Sequence, residues 1–527
     1  MNSSRHDALL ATKTGRISLL LNHLSSFPTP VIYLIGIVAG LIGVSSFSPF
    51  HFWPAYFITI VVYGLLVMTS PTAKVACYRG SSVALGFFSG GVSWVFVSIS
   101  EYGQVGNLIA VVITLGFIAV LTLFWSFSAW LGWHLSRKIP QLPSGFAIGL
   151  GLLIGEYLRS HLFTGFPWLL PGYAIQDTWL FELLPIGGIW LTSALVILTS
   201  VSLAALLARQ ANHWSVWLSV LSLWGVAAAL HFSPMQWVSP VGELKATLIQ
   251  GNVSQDEKWL SQTARTSLAE YQQTTIEHLD SDLVIWPETA ITYLYPQIRP
   301  HLESFIEELS QSNTSLITGI PDKNIETGQY YNAIWATGNG FGLYYKQRLV
   351  PFGEYIPLAS FIGPILDIFN MPIAGFLPGE ANQPALQVGE WAAAPFICYE
   401  IVYSEQVRNM VRDSDFLVTI SNDAWFGASI GPWQHLQIAQ FRAKESGRFV
   451  LRATNTGVTA VINERGEIHA QAPQFEKTSL TSQVRLYNGT TPYVQWGNLM
   501  TLALLALIGF LCLLAPSKRA HKPASKN

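Results

Sequence analysis

Apolar residues run in long blocks over the first 230 positions and then change rhythm. A helix needs about 17–25 apolar residues to span a bilayer. Blocks of that kind lie near 31–48, 54–69, 82–99, 107–133, 144–158, 186–208 and 214–231, with an eighth near 498–515. Between 240 and 493 short apolar runs alternate with helical spacing. Lys245–Val253 reads as a strand, 262–279 as a helix, Leu283–Trp286 as a buried strand closed by Pro287, and 300–311 as a helix. Ser315–Ile320 is a strand, and Tyr331–Thr337 with Gly342–Lys346 a strand pair. Phe396–Cys398 ends another strand, Val402–Val411 is helical, and Phe416–Ser421 is a strand. Pro432 opens a helix to about Ser446, since proline suits the first helical turn. Phe449–Ala453 and Val458–Asn463 form the last pair. Alternation of this sort predicts an α/β layered fold. The expected architecture is therefore a multi-pass α-helical membrane bundle of eight spans carrying one extracytoplasmic α/β domain. Residues 1–236 hold seven membrane helices, 240–493 the α/β domain, and 496–527 the eighth helix and a basic tail.

Charge sharpens this division. Only 11% of residues are charged, against about 25% in soluble domains. Residues 240–493 carry 26 acidic and 16 basic side chains, and the rest of the chain 5 acidic and 13 basic. An acidic domain argues against nucleic-acid binding. With eight spans and both ends inside, the inner loops collect twelve basic residues: Arg5, Lys13, Arg16, Lys74, Arg79, Arg137, Lys138, Arg209, Lys518, Arg519, Lys522 and Lys526. The short outer loops hold one, Arg159. The positive-inside rule then puts the 240–493 domain outside the cytoplasmic membrane. The polar first dozen residues show no cleavage site after a short apolar core, so no removable signal peptide is expected. The outer loop 159–185 is rich in aromatics, including Phe163, Phe166, Trp168 and Tyr173. It reads first as an interfacial aromatic belt, with a lip guiding lipid to the domain as the alternative. Glu156 and Arg159, three apart, could pair on one helix face.

Three cysteines are present: Cys77, in what reads as an inter-helix loop, Cys398, and Cys512 in the last apolar run. Cys398 is alone in its domain and has no disulfide partner there. A cysteine at a strand end is often a small buried hydrophobe. A nucleophilic thiol needs a base or a nearby cation. No histidine is close in sequence, the nearest being His435. Glu288 and Lys346 also end apolar runs, and strand ends on one edge of an α/β sheet converge on a crevice. Glu288 would serve as base, and Lys346 would favour the thiolate and a developing oxyanion. Taken singly, Glu288 could be a helix-start carboxylate and Lys346 a solvated strand end.

The motifs WPETA at 286–290, YYKQRLVPFGEYIP at 344–357, ICYE at 397–400 and SNDAWFG at 421–427 resemble the nitrilase superfamily. FSPF at 47–50, SWVFVSI at 93–99, TGFPWL at 164–169, QGN at 250–252 and IGPWQH at 430–435, with eight spans, are similar to its apolipoprotein N-acyltransferase family. The resemblance implies a nitrilase-like αββα sandwich and a Glu288–Lys346–Cys398 triad. It implies that Glu354 supports the lysine, that Tyr399 and Glu400 are needed for function, and that Trp259 lies in a lipid-contacting loop. The implied reaction moves the sn-1 acyl chain of a phospholipid onto the cysteine. From there it passes to the α-amino group of a diacylglyceryl-cysteine at the start of an apolipoprotein. The implied location is the bacterial inner membrane, with a periplasmic domain and cytoplasmic termini. No metal, cofactor or nucleic acid is expected, and a monomer is. A membrane-tethered amidase would use the same triad but needs one anchor at most. A transporter is disfavoured by few intramembrane charges and no pair of broken helices.

The charge asymmetry predicts that a cysteine engineered into 240–493 reacts with a membrane-impermeant thiol reagent in intact spheroplasts. Labelling only after lysis would reverse the assigned orientation.

Overall fold

The computed structural model describes residues 27–103, 106–210, 214–351, 353–355 and 375–514. The polar start and the basic tail fall outside them. In the first part, helices α1 (Thr29–Gly43), α2 (Pro54–Met68), α3 (Ala73–Gly91), α4 (Trp94–Tyr102), α5 (Asn107–Lys138), α6 (Ser144–His161), α7 (Leu184–Leu207) and α8 (Trp214–Phe232) occupy the predicted apolar blocks. Among the described residues, four helical stretches are long and apolar enough to cross a membrane, and a fifth is the bent pair α3–α4. The α2 helix and the last helix, Leu499–Leu514, are apolar but shorter. The third apolar block is thus not one straight span, because α3 and α4 meet at 53°. Cys77 lies inside α3, not in a loop: Thr72 accepts a hydrogen bond from the Val75 N–H and starts the helix before it.

Close packing holds these helices together. At Gly40 of α1 a Cβ would stand 2.0 Å from the Val83 carbonyl oxygen, and at Gly86 of α3 it would stand 2.0 Å from that of Ile37. Small residues at such crossings let backbones approach, the usual route to helix association in lipid. The outward faces stay apolar, with Leu108, Val112, Leu115 and Leu123 of α5 more than half exposed.

The second part is built on twelve strands: β1 (Ser239–Gln250), β2 (Leu283–Ile285), β3 (Ser315–Lys323), β4 (Tyr330–Gly338), β5 (Gly340–Tyr345), β6 (Leu386–Val388), β7 (Trp391–Ile397), β8 (Phe416–Ser421), β9 (Val450–Thr454), β10 (Ala460–Ile462), β11 (Ile468–Gln471) and β12 (Thr478–Asn488). They pair in the order β11-β10-β9-β8-β7-β6-β5-β4-β3-β2-β1-β12. The sheet folds so that its halves face each other. Leu248, Ile285 and Ile317 from one half share a core with Ile397, Val418 and Leu451 from the other. Alternation along the strands does this, since successive side chains take opposite faces: Val418 points into that core and Leu417 out of it. Helices α9 (Ser261–Ile276) and α10 (Glu303–Gln311) cover the first half through Tyr271, Phe305 and Leu309. On the second half lie α11 (Ser404–Val411) and α12 (Gly431–Ser446). There the outer core, with Phe396, Leu417 and Leu436, runs without a break into Tyr56, Trp125 and Leu195 of the helical part.

Three strands had no counterpart in the sequence reading: β6, β11 and β12. The β12 strand is long but half exposed, and its serines and threonines mask the alternation of Leu480, Val484 and Leu486. It pairs antiparallel with β1 along its whole length.

Replacing Gly86 with leucine should force α1 and α3 apart and cost roughly 1–3 kcal/mol of overpacking strain. Thermal unfolding in detergent measures this. Gly116→Leu is the control, because a side chain there meets open space.

Candidate active site

The sheet edge gathers the three residues that the sequence reading paired. Glu288 follows β2, whose end is held by the Trp286 N–H donating to Ile317 O at 2.9 Å. Pro287 then breaks the strand. Gly319 of β3 makes room for the turn, since a Cβ there would lie 2.4 Å from the Thr289 nitrogen. Lys346 is the first residue after β5, with its N–H bonded to Asn332 O at 2.8 Å. Cys398 follows β7 and sits in the left-handed region at φ 51°, which costs a non-glycine residue about 1–2 kcal/mol.

One buried network joins Glu288 and Lys346. Lys346 Nζ donates to Glu354 Oε1 at 2.9 Å and reaches Glu288 Oε1 at 3.5 Å. The Asn332 side-chain amide bridges the same two oxygens, at 2.9 Å to Glu288 and 3.1 Å to Glu354. The remaining oxygens are also used. Glu288 Oε2 accepts from the Asn422 N–H at 2.9 Å and Glu354 Oε2 from the Val350 N–H at 2.8 Å. Burial alone would push the Lys346 ammonium toward neutrality, but Glu354, then Glu288, then the Cys398 sulfur outweigh it and raise its affinity for the proton. Lys346 is therefore a fixed cation and not a base.

Cys398 lies within electrostatic reach of both Glu288 and Lys346. Burial raises its thiol well above the ordinary value, and Glu288 and Asp423 raise it further, while Lys346 and a hydrogen bond from Ser421 pull it down. Lys346 thus favours the thiolate, while burial and Glu288 oppose it more strongly.

The supporting residues divide. Glu354 belongs to the network above. Glu400 is wholly buried, and it binds structure on every side. Its Oε2 accepts from the Ile397 N–H at 2.8 Å, and its Oε1 accepts from Tyr344 OH at 2.9 Å, Gln347 N at 2.7 Å and Gln406 Nε2 at 3.0 Å. It ties the residue before Cys398 to the residue after Lys346. Tyr399 turns the other way: its hydroxyl donates to Gly165 O at 3.2 Å, and its ring stacks on Trp168 at 6.4 Å. Trp259 is exposed on the turn before α9.

Sequence reasoning missed Asn332, Lys258, Asn422 and His435. Lys258 is buried, and its Nζ donates to Glu288 O at 3.2 Å. Burial pushes its ammonium down to about 8, with Glu288 partly opposing. Asn422 and His435 fall in SNDAWFG and IGPWQH, motifs noticed without a role. Asn332 had no signal beyond its place in a strand.

Two family profiles match the chain. Carbon-nitrogen hydrolase covers residues 245–490 and the apolipoprotein N-acyltransferase N-terminal domain covers 39–202. Relatives named apolipoprotein N-acyltransferase match nearly end to end. That of Pseudomonas aeruginosa (strain LESB58) is 37% identical over 94% of this chain and 97% of its own. That of Pseudomonas syringae pv. tomato is 39% identical over 90% and 95%. The chain belongs to the apolipoprotein N-acyltransferase family. A relative from Methylococcus capsulatus extends the match at 36% identity over 91% and 95%. Among solved structures, Saccharomyces cerevisiae Nit3 of the nitrilase superfamily aligns with 48% of this chain and 93% of its own, at 18% identity and a TM-score of 0.35, and that likeness bears on nothing further.

The charges around Cys398 predict opposite shifts in its alkylation by iodoacetamide. Glu288→Gln removes a charge that raises the thiol, so the midpoint of rate against pH should fall. Lys346→Met removes a charge that lowers it, so the midpoint should rise. Equal or reversed shifts would contradict the arrangement.

Proposed function

We propose that the chain transfers the sn-1 acyl chain of a membrane phospholipid, by way of a thioester on Cys398, to the α-amino group of the diacylglyceryl-cysteine that begins an apolipoprotein. The observation that carries this reading is the meeting of Glu288, Lys346 and Cys398 on a domain whose outer core is continuous with apolar helices. Family membership supports the same activity.

Glu288 takes the thiol proton as the sulfur attacks the ester carbonyl carbon. The carbonyl π electrons move to oxygen, and Lys346 Nζ with the Tyr399 N–H stabilises that oxyanion. Collapse breaks the ester C–O bond, and Glu288 returns the proton to the leaving alkoxide, releasing a lysophospholipid. The amine of the apolipoprotein then attacks the thioester and gives its proton to Glu288, which passes it to the departing sulfur. This ping-pong course splits one hard transfer into two easier ones. Because burial and Glu288 oppose ionisation of the thiol, its proton is taken by Glu288 as the sulfur attacks. Glu354 holds Lys346, Glu400 aligns the two segments, and Trp259 is a candidate for contact with lipid.

The apolar helices suit a bacterial inner-membrane protein. We further propose that all eight helical blocks span it, with 1–236 and 496–527 as the membrane parts, both ends cytoplasmic and 240–493 periplasmic. The protein acts as a monomer without nucleic acid.

Supplying a phospholipid with a mass-labelled sn-1 chain, together with a diacylglyceryl peptide, should put label first on Cys398 and then on the peptide amine. Continued peptide acylation by Cys398→Ala would falsify the nucleophile assignment.

A further inference from the structure

His435 belongs to α12, a helix far from Cys398 in sequence but directly beneath it in the fold. Its Nε2 stands 3.1 Å from the Cys398 carbonyl oxygen. A carbonyl has no proton to give, so Nε2 carries the N–H and donates. The other ring nitrogen is enclosed: Nδ1 lies 3.1 Å from Asp423 Oδ1 and 3.2 Å from Arg452 Nη2. Asp423 is itself occupied, taking Ser421 Oγ at 2.6 Å and forming an ion pair with Arg452. Burial and the charge of Arg452 disfavour the imidazolium, while Asp423 favours it. Whichever group Nδ1 pairs with, Nε2–H is fixed on Cys398. The His435, Asp423 and Arg452 side chains are almost wholly buried, so the ring is held in place away from water.

The Cys398 carbonyl and the Tyr399 N–H are two ends of one peptide plane. In a trans peptide they point in opposite directions. Holding the carbonyl down on His435 thus aims the Tyr399 N–H away from α12. That N–H bonds no acceptor among the described residues. Cys398 adopts a left-handed φ of 51°, a conformation that surrounding structure must hold in place.

We infer that His435 is a positioning residue that aims the Tyr399 N–H at the acyl oxygen by holding the Cys398 carbonyl, with Asp423 and Arg452 holding its ring in place. This rests on the thioester reading above. The membrane side contributes as well. The Trp168 ring lies 5.6 Å from that of His435, and Trp168 Nε1 donates to the neighbouring Gln434 at 2.6 Å. The outer loop therefore packs against the histidine that sets the donor.

Two reactions of one sulfur separate this role from a general one. Acylation by phospholipid passes through an oxyanion, whereas alkylation by iodoacetamide displaces iodide and forms none. In the full-length protein in detergent, His435→Phe should slow thioester formation by about a hundredfold, the scale of an ångström-sized misplacement, and leave alkylation at the unsubstituted rate. His435→Gln keeps an N–H donor and should restore most of the loss. His435→Asn, too short to reach, should behave like the phenylalanine variant while differing from it in bulk. Parallel loss of both reactions, normal thioester formation in the Phe and Asn variants, or no rescue by Gln overturns the assignment. If the unsubstituted protein forms no thioester on Cys398, the failure lies in the thioester reading itself.

Discussion

Everything at the site depends on one buried ammonium. Lys346 is placed between Glu288 and Glu354, with almost no access to water. An isolated buried cation is expensive, and it survives only with charged partners and satisfied hydrogen bonds. Both carboxylates are needed because each is also used elsewhere, and Asn332 keeps them from repelling each other by donating to both. Removing one partner leaves the other charges uncompensated, so the four residues stand or fall together. This constraint explains why the ends of β2 and β5, Asn332 of β4 and the 350–354 turn meet at one point. It also bears on Cys398, whose ionisation Lys346 favours and Glu288 opposes.

The same logic, buried polarity matched across a seam, joins the helical part to the α/β domain. The α12 helix presents Gln434, Gln437, Gln440 and Glu445 to the membrane helices and their loops. Gln434 Oε1 takes the indole N–H of both Trp94 and Trp168, at 3.2 and 2.6 Å. Gln437 meets Ser48 and Tyr173, Gln440 meets Gln176, and Glu445 accepts from the Ile189 N–H. On the other side of the seam, Arg159 is buried against Glu156 and donates to the carbonyls of Phe166 and Trp168. It thereby shapes the loop that receives the hydroxyls of Tyr399 and Tyr403. Amide-rich networks of this kind are satisfied only in one relative placement, so they specify geometry more than they add stability.

That seam also marks where the sequence stops being readable. Glu288, Lys346 and Cys398 were legible because each closes an apolar run, and strand ends on one edge converge for general geometric reasons. The Glu156–Arg159 pair was legible from its spacing. The polar stripe on α12 was not. Glutamines recurring three apart look like a solvated helix face, and nothing local says that a second structural part will cover them. Tyr399 could not be placed from its position beside Cys398: its ring stacks on Trp168 and its hydroxyl bonds the Gly165 carbonyl. Asn332 and Lys258 act through contacts across the sheet, which no periodicity reveals.

These placements bear on how an acyl thioester could outlast water. A preformed thiolate would react with any electrophile that entered, and a loosely held base would activate water as readily as an amine. Here burial and Glu288 both oppose ionisation of the sulfur. Glu288 is itself constrained by three hydrogen-bond donors, from Asn332, Lys346 and Asn422. A carboxylate held in this way reaches a partner only from one direction. Selectivity for an amine delivered along the bilayer over water from the aqueous side then becomes a question of approach. The continuous apolar core between the second half-sheet and the helices puts the lipid-facing structure against the strand that carries Cys398.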